Sequence, residues 1–213
     1  MDLLARHRRA GLVNAIGNLG GVGDTMLGFG HKQAWLAVRD GDPDAVTAAL
    51  GLRDLGPVSW RDGIDLAYLT DDRLVLTPLL PGARGRRWLL VTGRWLLRAG
   101  STVDPTRLSA ELRSEVQFFA TYRVGELHRW QRATDGVLVR AFEYLGEAGE
   151  VRDWRGDPDE VEASVGLPPT LEHKTDVLVS EGDVMRVAGA WSLDPTALDG
   201  LPAPGPLRAA AAP

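Results

Sequence analysis

Apolar and polar residues alternate most regularly between Val116 and Val124, where Val116, Phe118, Ala120, Tyr122 and Val124 interleave with Gln117, Phe119, Thr121 and Arg123. A period of two places the two sets on opposite faces of a β-strand. Gly125-Glu126 makes a turn, residues 127–133 a second strand, and Asp135-Gly136 a strong hairpin signal leading to a third strand over 137–145. The pattern predicts a three-stranded antiparallel meander, extended by Glu150 to Trp154.

Elsewhere the period lengthens. Ile64, Leu66, Ala67 and Leu69 predict a helix over 61–69 that ends at Asp71-Asp72, Asp104-Pro105 opens a helix reaching about Ser114, and a further helix runs from Gly182 or Asp183 to Trp191. Gln33 to Arg39 reads as a strand, as do Leu74 to Leu80 and Arg87 to Thr92, the last two forming a hairpin with an Arg-rich tip at Arg84-Gly85-Arg86. A short strand is expected at Asp176 to Val179, and the Pro- and Ala-rich residues 195–213 read as a disordered tail.

One segment occurs twice. Gly41-Asp42-Pro43-Asp44-Ala45-Val46-Thr47-Ala48-Ala49-Leu50-Gly51-Leu52 returns 115 positions later as Gly156-Asp157-Pro158-Asp159-Glu160-Val161-Glu162-Ala163-Ser164-Val165-Gly166-Leu167, with eight of twelve positions identical. Each copy reads as a short helix. Asp42 or Asp157 accepts an orphan N–H at the N-cap, Pro43 or Pro158 fits the first helical position, and Gly51 or Gly166 takes the left-handed position that ends it. The helices predicted are 43–50 and 158–165, each apolar on one side and needing a sheet beneath it. The Asp-x-Asp pairs suit a hard cation chemically, but capping accounts for them with less.

Together these elements predict an α+β fold in which helices pack on a mixed, largely antiparallel sheet, with two pseudo-symmetric halves from an internal duplication. The organisation expected is an amphipathic and Gly-rich N-terminal segment over 1–30, a first α+β half over 31–103, a second half containing the meander over 104–194, and the tail. Within the first segment, residues 2–19 fit an amphipathic helix, a secretion signal or a peripheral membrane anchor, although Asn14 and Asn18 interrupt the apolar run and no Ala-x-Ala site follows. Six glycines fall in residues 17–30 in the spacing of neither a phosphate nor a dinucleotide loop, so this stretch reads as a turn, a lid or a cradle.

Composition narrows the chemistry. The chain has no Cys, which removes disulfides, thiolate metal sites and a Cys nucleophile, and fits a cytoplasmic setting. The net charge of −5 is unevenly distributed, with eleven Arg against five acids over 84–140 and twelve acids against three bases over 143–185. Such regions either steer a charged partner or neutralise one another inside one fold. Nucleic-acid binding is not expected, because the basic stretch lacks a Lys cluster and a recognised motif.

No His-Glu-x-x-His or Gly-x-Ser-x-Gly pattern occurs, and none of the four His stands at metal-ligand spacing from another. No metal or cofactor is expected, and a non-catalytic role is favoured. The most polar face lies on the meander, where His128, Trp130 and Arg132 share one side of a strand and Tyr122 or Arg123 approaches them across the turn. These five form the candidate binding patch, able to hold an anion or a carboxylate. Were the protein an enzyme, Glu126, His128 and Glu143 would be its first catalytic candidates.

The functional expectation is a non-catalytic cytoplasmic module that binds another protein, with a basic partner, neutralised in the manner of bacterial immunity or antitoxin proteins, as its finer form. Seven Trp and the segregated charge motivate it. The alternative is a small-molecule enzyme or ligand-binding protein with its pocket between the two halves.

Overall fold

A computed structural model of the protein describes residues 24–98, 103–171 and 178–213. The chain runs through β1 (Ala34–Arg39), α1 (Pro43–Ala49), β2 (Arg53–Val58), α2 (Trp60–Leu69), β3 (Arg73–Leu76), β4 (Leu80–Pro81), β5 (Arg87–Thr92) and α3 (Arg94–Arg98). It continues through α4 (Pro105–Leu112), β6 (Val116–Tyr122), β7 (Leu127–Thr134), β8 (Val137–Leu145), β9 (Glu150–Arg155), α5 (Glu160–Ser164), α6 (Glu181–Trp191) and β10 (Leu207–Ala211). The fold is α+β. One ten-stranded sheet has the order β2-β10-β3-β5-β1-β6-β7-β8-β9, with β4 beside β5, and every pairing between described strands is antiparallel.

The central strands β1 and β5 are apolar on both faces because helices cover both. On one face Trp35, Trp88, Phe119, Trp130 and Phe142 pack with α2, α5 and α6. On the other, Leu36, Val38, Leu89, Val91 and Phe118 pack with α1, α3 and α4. Trp35 and Phe119 are cross-strand partners stacked at 5.2 Å between ring centroids, and truncating so buried a Phe to Ala costs about 3–5 kcal/mol.

The meander forms with the predicted order and turns. Asp135 and Gly136 both take positive φ, 49° and 79°, the pair of left-handed positions a two-residue hairpin turn requires. The β3 and β5 strands pair antiparallel as expected, and at the Arg-rich tip Arg84 folds back to donate to Glu115 Oε1 and the Trp191 carbonyl, both at 2.7 Å. β2 and α3 have no counterpart in the sequence reading. Gly56 and Pro57 disguise β2, and they are tolerated because it lies at the edge of the sheet.

Three expectations are corrected. First, residues 195–213 are not a disordered tail, because β10 lies inside the sheet between β2 and β3. Its alanines are small enough to be buried beneath both helical layers, and at Gly63 α2 comes so close to Leu207 that an added Cβ would stand 2.7 Å from its Cδ1. Second, in the repeated segment Asp42 caps α1 as predicted, accepting from Ala45 N at 2.8 Å, but the second copy starts two residues late. Asp159, not Asp157, is its N-cap, and it forms a reciprocal capping box with Glu162, whose Oε2 accepts from Asp159 N while its own N–H donates to Asp159 Oδ1. Third, the two copies pack in different cores on opposite faces, and β1 pairs with both β5 and β6, so the structure does not display two separate equivalent halves.

The basic and acidic regions neutralise one another. Arg123 pairs with Glu181, Arg129 with Glu143, Arg132 with Asp159 and Arg140 with Glu162, each joining the Arg-rich stretch to the acidic one. The predicted helix over 2–19 and the glycines before residue 24 lie outside the described residues, as do residues 176 and 177 of the expected short strand. The described part of the Gly-rich segment is packed rather than lid-like. Phe29 is buried in the core, Met26 N donates to the Leu201 carbonyl and Gly30 N to the Tyr68 hydroxyl. Among the described residues no helix is long and apolar enough to cross a membrane.

Candidate functional site

The register of the meander sets Thr121 opposite His128 and His128 opposite Tyr144, a polar row across three strands on the face covered by α6. The first residue of α6, Glu181, meets this row. Its Oε1 accepts from Thr121 Oγ1 at 2.7 Å and from Lys32 N at 2.9 Å, and its Oε2 accepts from Arg123 Nε at 2.7 Å with His31 Nδ1 3.4 Å away. The turn containing His31 is held from its other side by Tyr68, whose hydroxyl accepts from Gly30 N and donates to the His31 carbonyl.

These groups line a cleft of about 640 Å³, with Glu126, His128 and Tyr144 on the sheet side and Leu178 to Gly182 on the helix side. Burial acts to raise the pKa of Glu181, but the bonds from Thr121, Lys32 N and Arg123 outweigh it and bring the group down to about 2. Burial pushes the His128 imidazole below its ordinary value, against the opposing charges of Glu181, Glu126 and Asp183. His128 is therefore neutral at pH 7. Only 5% of it is exposed, its ring is stacked on Tyr144, and its buried Nδ1 has no hydrogen-bond partner among the described residues. Burial also raises the Tyr68 phenol.

Arg123, Glu126 and His128 thus come together, as the strand alternation predicts. The other candidates do not join them. Tyr122 points to the opposite face, where it lines a neighbouring cleft with Lys32 and Tyr68. Trp130 is fully buried, stacked on Phe142 at 4.4 Å and donating Nε1 to Glu162 at 2.6 Å, so it belongs to the core. Arg132 lies 4.5 Å over the Trp191 ring beside Asp159. Glu143, paired with Arg129 at 3.6 Å, is on the face away from His128, because residues 143 and 144 of one strand cannot both face the same side. The cationic patch does hold a carboxylate, but that carboxylate is the protein's own Glu181.

Glu181, Thr121 and His31 escape the sequence reading. A helix begun at residue 182 leaves Glu181 in a loop, although Ser180 and Asp183 mark the true start: the Asp183 carboxylate accepts from Ser180 N and Oγ. His31 joins only through tertiary contact. Chemically the cleft offers a neutral imidazole, a tyrosine and the carboxylate of Glu126, while Glu181 is consumed by its bonds. No hydrogen bond joins His128 to a nucleophile or an acid among the described residues, and none of their His, Asp and Glu side chains form a group placed to hold a metal ion. Comparison with known protein families, with curated proteins and with solved structures finds no match to this chain.

Proposed function

We propose that this chain is a non-catalytic protein-binding module whose contact surface is the open end of the meander. The observation that carries this reading is the distribution of exposed apolar groups. Tyr122, Val124 and Leu178 are 43%, 76% and 78% exposed, and they line the two clefts or adjoin residues that do. Apolar groups left in water beside concave surfaces, rimmed by arginines, have the composition of interface anchors. The charged side chains nearby are largely engaged in internal pairs and contribute less to encounter than their number suggests.

A basic partner, bound in the manner of immunity or antitoxin proteins in the cytoplasm, is the finer form of this reading. Its support is the net charge of −5 and the absence of Cys. Native mass spectrometry of the protein purified gently from its host at low salt tests the general reading. A stoichiometric protein partner is expected, and a bare protein counts against it. The salt dependence of association tests the finer form, since a basic partner demands an on-rate that falls with ionic strength.

A second reading, small-molecule binding in the His128 cleft, is favoured by one observation. The Nδ1 of the buried His128 imidazole has no hydrogen-bond partner among the described residues, and a ligand acceptor or donor there would offset its desolvation.

A further inference from the structure

On the other side of the Tyr122–Leu127 turn from His128 lies a second cleft, of about 500 Å³. Its cations are Lys32, Arg94 and Arg98, and its walls include Tyr68 and Tyr122 together with Leu97, from the arginines' helix, and Leu127. We infer that this cleft is a binding site for a small organic anion, a carboxylate or phosphate ester carried on an aromatic or similarly apolar body. The inference goes beyond the protein-binding reading and does not depend on it.

Three observations converge. Lys32 sits at φ 54°, in the left-handed region that a long side chain rarely occupies, and it is held there by its backbone N–H, which donates to Thr121 Oγ1 at 3.0 Å and Glu181 Oε1 at 2.9 Å. The same turn sends His31 to the first cleft and Lys32 to the second. The lysine is thus delivered by a braced backbone, and its ammonium has no carboxylate partner among the described residues. Arg94 and Arg98 stand one turn apart on α3 and share a single acid, Asp71, at 3.7 and 2.8 Å, while Glu181, the carboxylate nearest the Lys32 backbone, is paired with Arg123, so cations outnumber carboxylates around the cleft. An anion entering the cleft meets a net positive charge and guanidinium donors already oriented by Asp71.

The walls select the rest of the ligand. The Tyr68 hydroxyl is committed to Gly30 and His31, which leaves its ring for the cleft, while Tyr122 remains 43% exposed. Two aromatic rings and two leucines offer apolar area to a planar body, and a volume of this size suits a molecule of one or two rings.

The test is calorimetric titration of the full chain in a chloride buffer with three probes: phenyl phosphate, benzoate and inorganic phosphate. At least one organic probe is expected to bind about tenfold more tightly than inorganic phosphate, and the tighter of the two tells a phosphate ester from a carboxylate. Lys32→Met is expected to weaken that probe by about fivefold or more, and Arg94→Gln provides a second variant on a different element. Asp71→Asn is expected to tighten it, because the competing internal carboxylate is neutralised. Absence of saturable binding, equal affinity for all three probes, or affinity unchanged in both Lys32→Met and Arg94→Gln overturns the inference.

Discussion

Arg123 and Glu181, from the meander turn and the start of α6, meet at 2.7 Å, and through this contact the helix that roofs one cleft is locked to the strand that floors it. The other Glu181 oxygen holds the 30–32 turn, which feeds both clefts. A single carboxylate therefore organises the whole end of the molecule.

The pH dependence of stability follows from Glu181 and His128. The folded pKa of Glu181 is about 2 against an ordinary 4.5, so its contribution is present above pH 4.5 and is lost as pH falls toward 2. His128 has a lowered pKa, so the fold favours its neutral form, and stability declines as pH falls through the ordinary value of 6.5. Stability in urea at pH 7.5, 5.5 and 4 is expected to fall in two stages, the second being the onset of the Glu181 loss and worth about 1 kcal/mol. His128→Phe is expected to flatten the first stage and Glu181→Gln the second. A wild-type midpoint that stays level from pH 7.5 to 4 contradicts both assignments.

The pair formed by Arg140 and Glu162 is buried on both sides, and Glu162 Oε1 also accepts from Trp130 Nε1. Glu162→Ala leaves a guanidinium uncompensated in the core and is expected to cost about 3–5 kcal/mol in urea denaturation. The double variant Arg140→Met, Glu162→Leu is expected to lose less than the single variant. A mild effect of Glu162→Ala alone shows that water reaches Arg140.

Removing residues 206–213 deletes β10, which detaches β2 from the sheet and strips β3 of one of its two neighbours. It also removes Arg208, whose guanidinium holds Asp54 on β2 and keeps that carboxyl well below its ordinary range. The truncated chain is expected to lose cooperative unfolding or to melt more than about 10 °C lower in scanning calorimetry. An unchanged melting temperature is the outcome a dispensable tail would give.

At the proposed contact surface, Val124→Asp and Leu178→Asp remove exposed apolar groups without touching the core. Each is expected to leave the melting temperature within about 2 °C of wild type, as surface changes usually do. Together they are expected to abolish co-purification of the proposed partner, read by native mass spectrometry. Retained partner binding in the double variant moves the interface elsewhere.

Sequence alone determined the local architecture of this protein. Period-two alternation over 116–124 and the Asp135-Gly136 turn specify the meander, and Asp42-Pro43 and Asp104-Pro105 specify two helix starts, because capping and hairpin chemistry operate over a few neighbouring residues. The same alternation brought Arg123, Glu126 and His128 to one end of the sheet. It also separates Glu143 from Tyr144, a consequence the candidate set overlooked. Tertiary structure alone decided the rest. Leu207 to Ala211 has no strong strand pattern of its own, and it becomes β10 because β2 and β3 offer unpaired edges on both sides and the two helical layers leave room only for small side chains. Glu181 likewise carries no local mark of its role. Its partners Lys32, Thr121 and Arg123 lie 149, 60 and 58 residues away, and a carboxylate's environment is set by what folding brings to it through space, not by its neighbours in the chain.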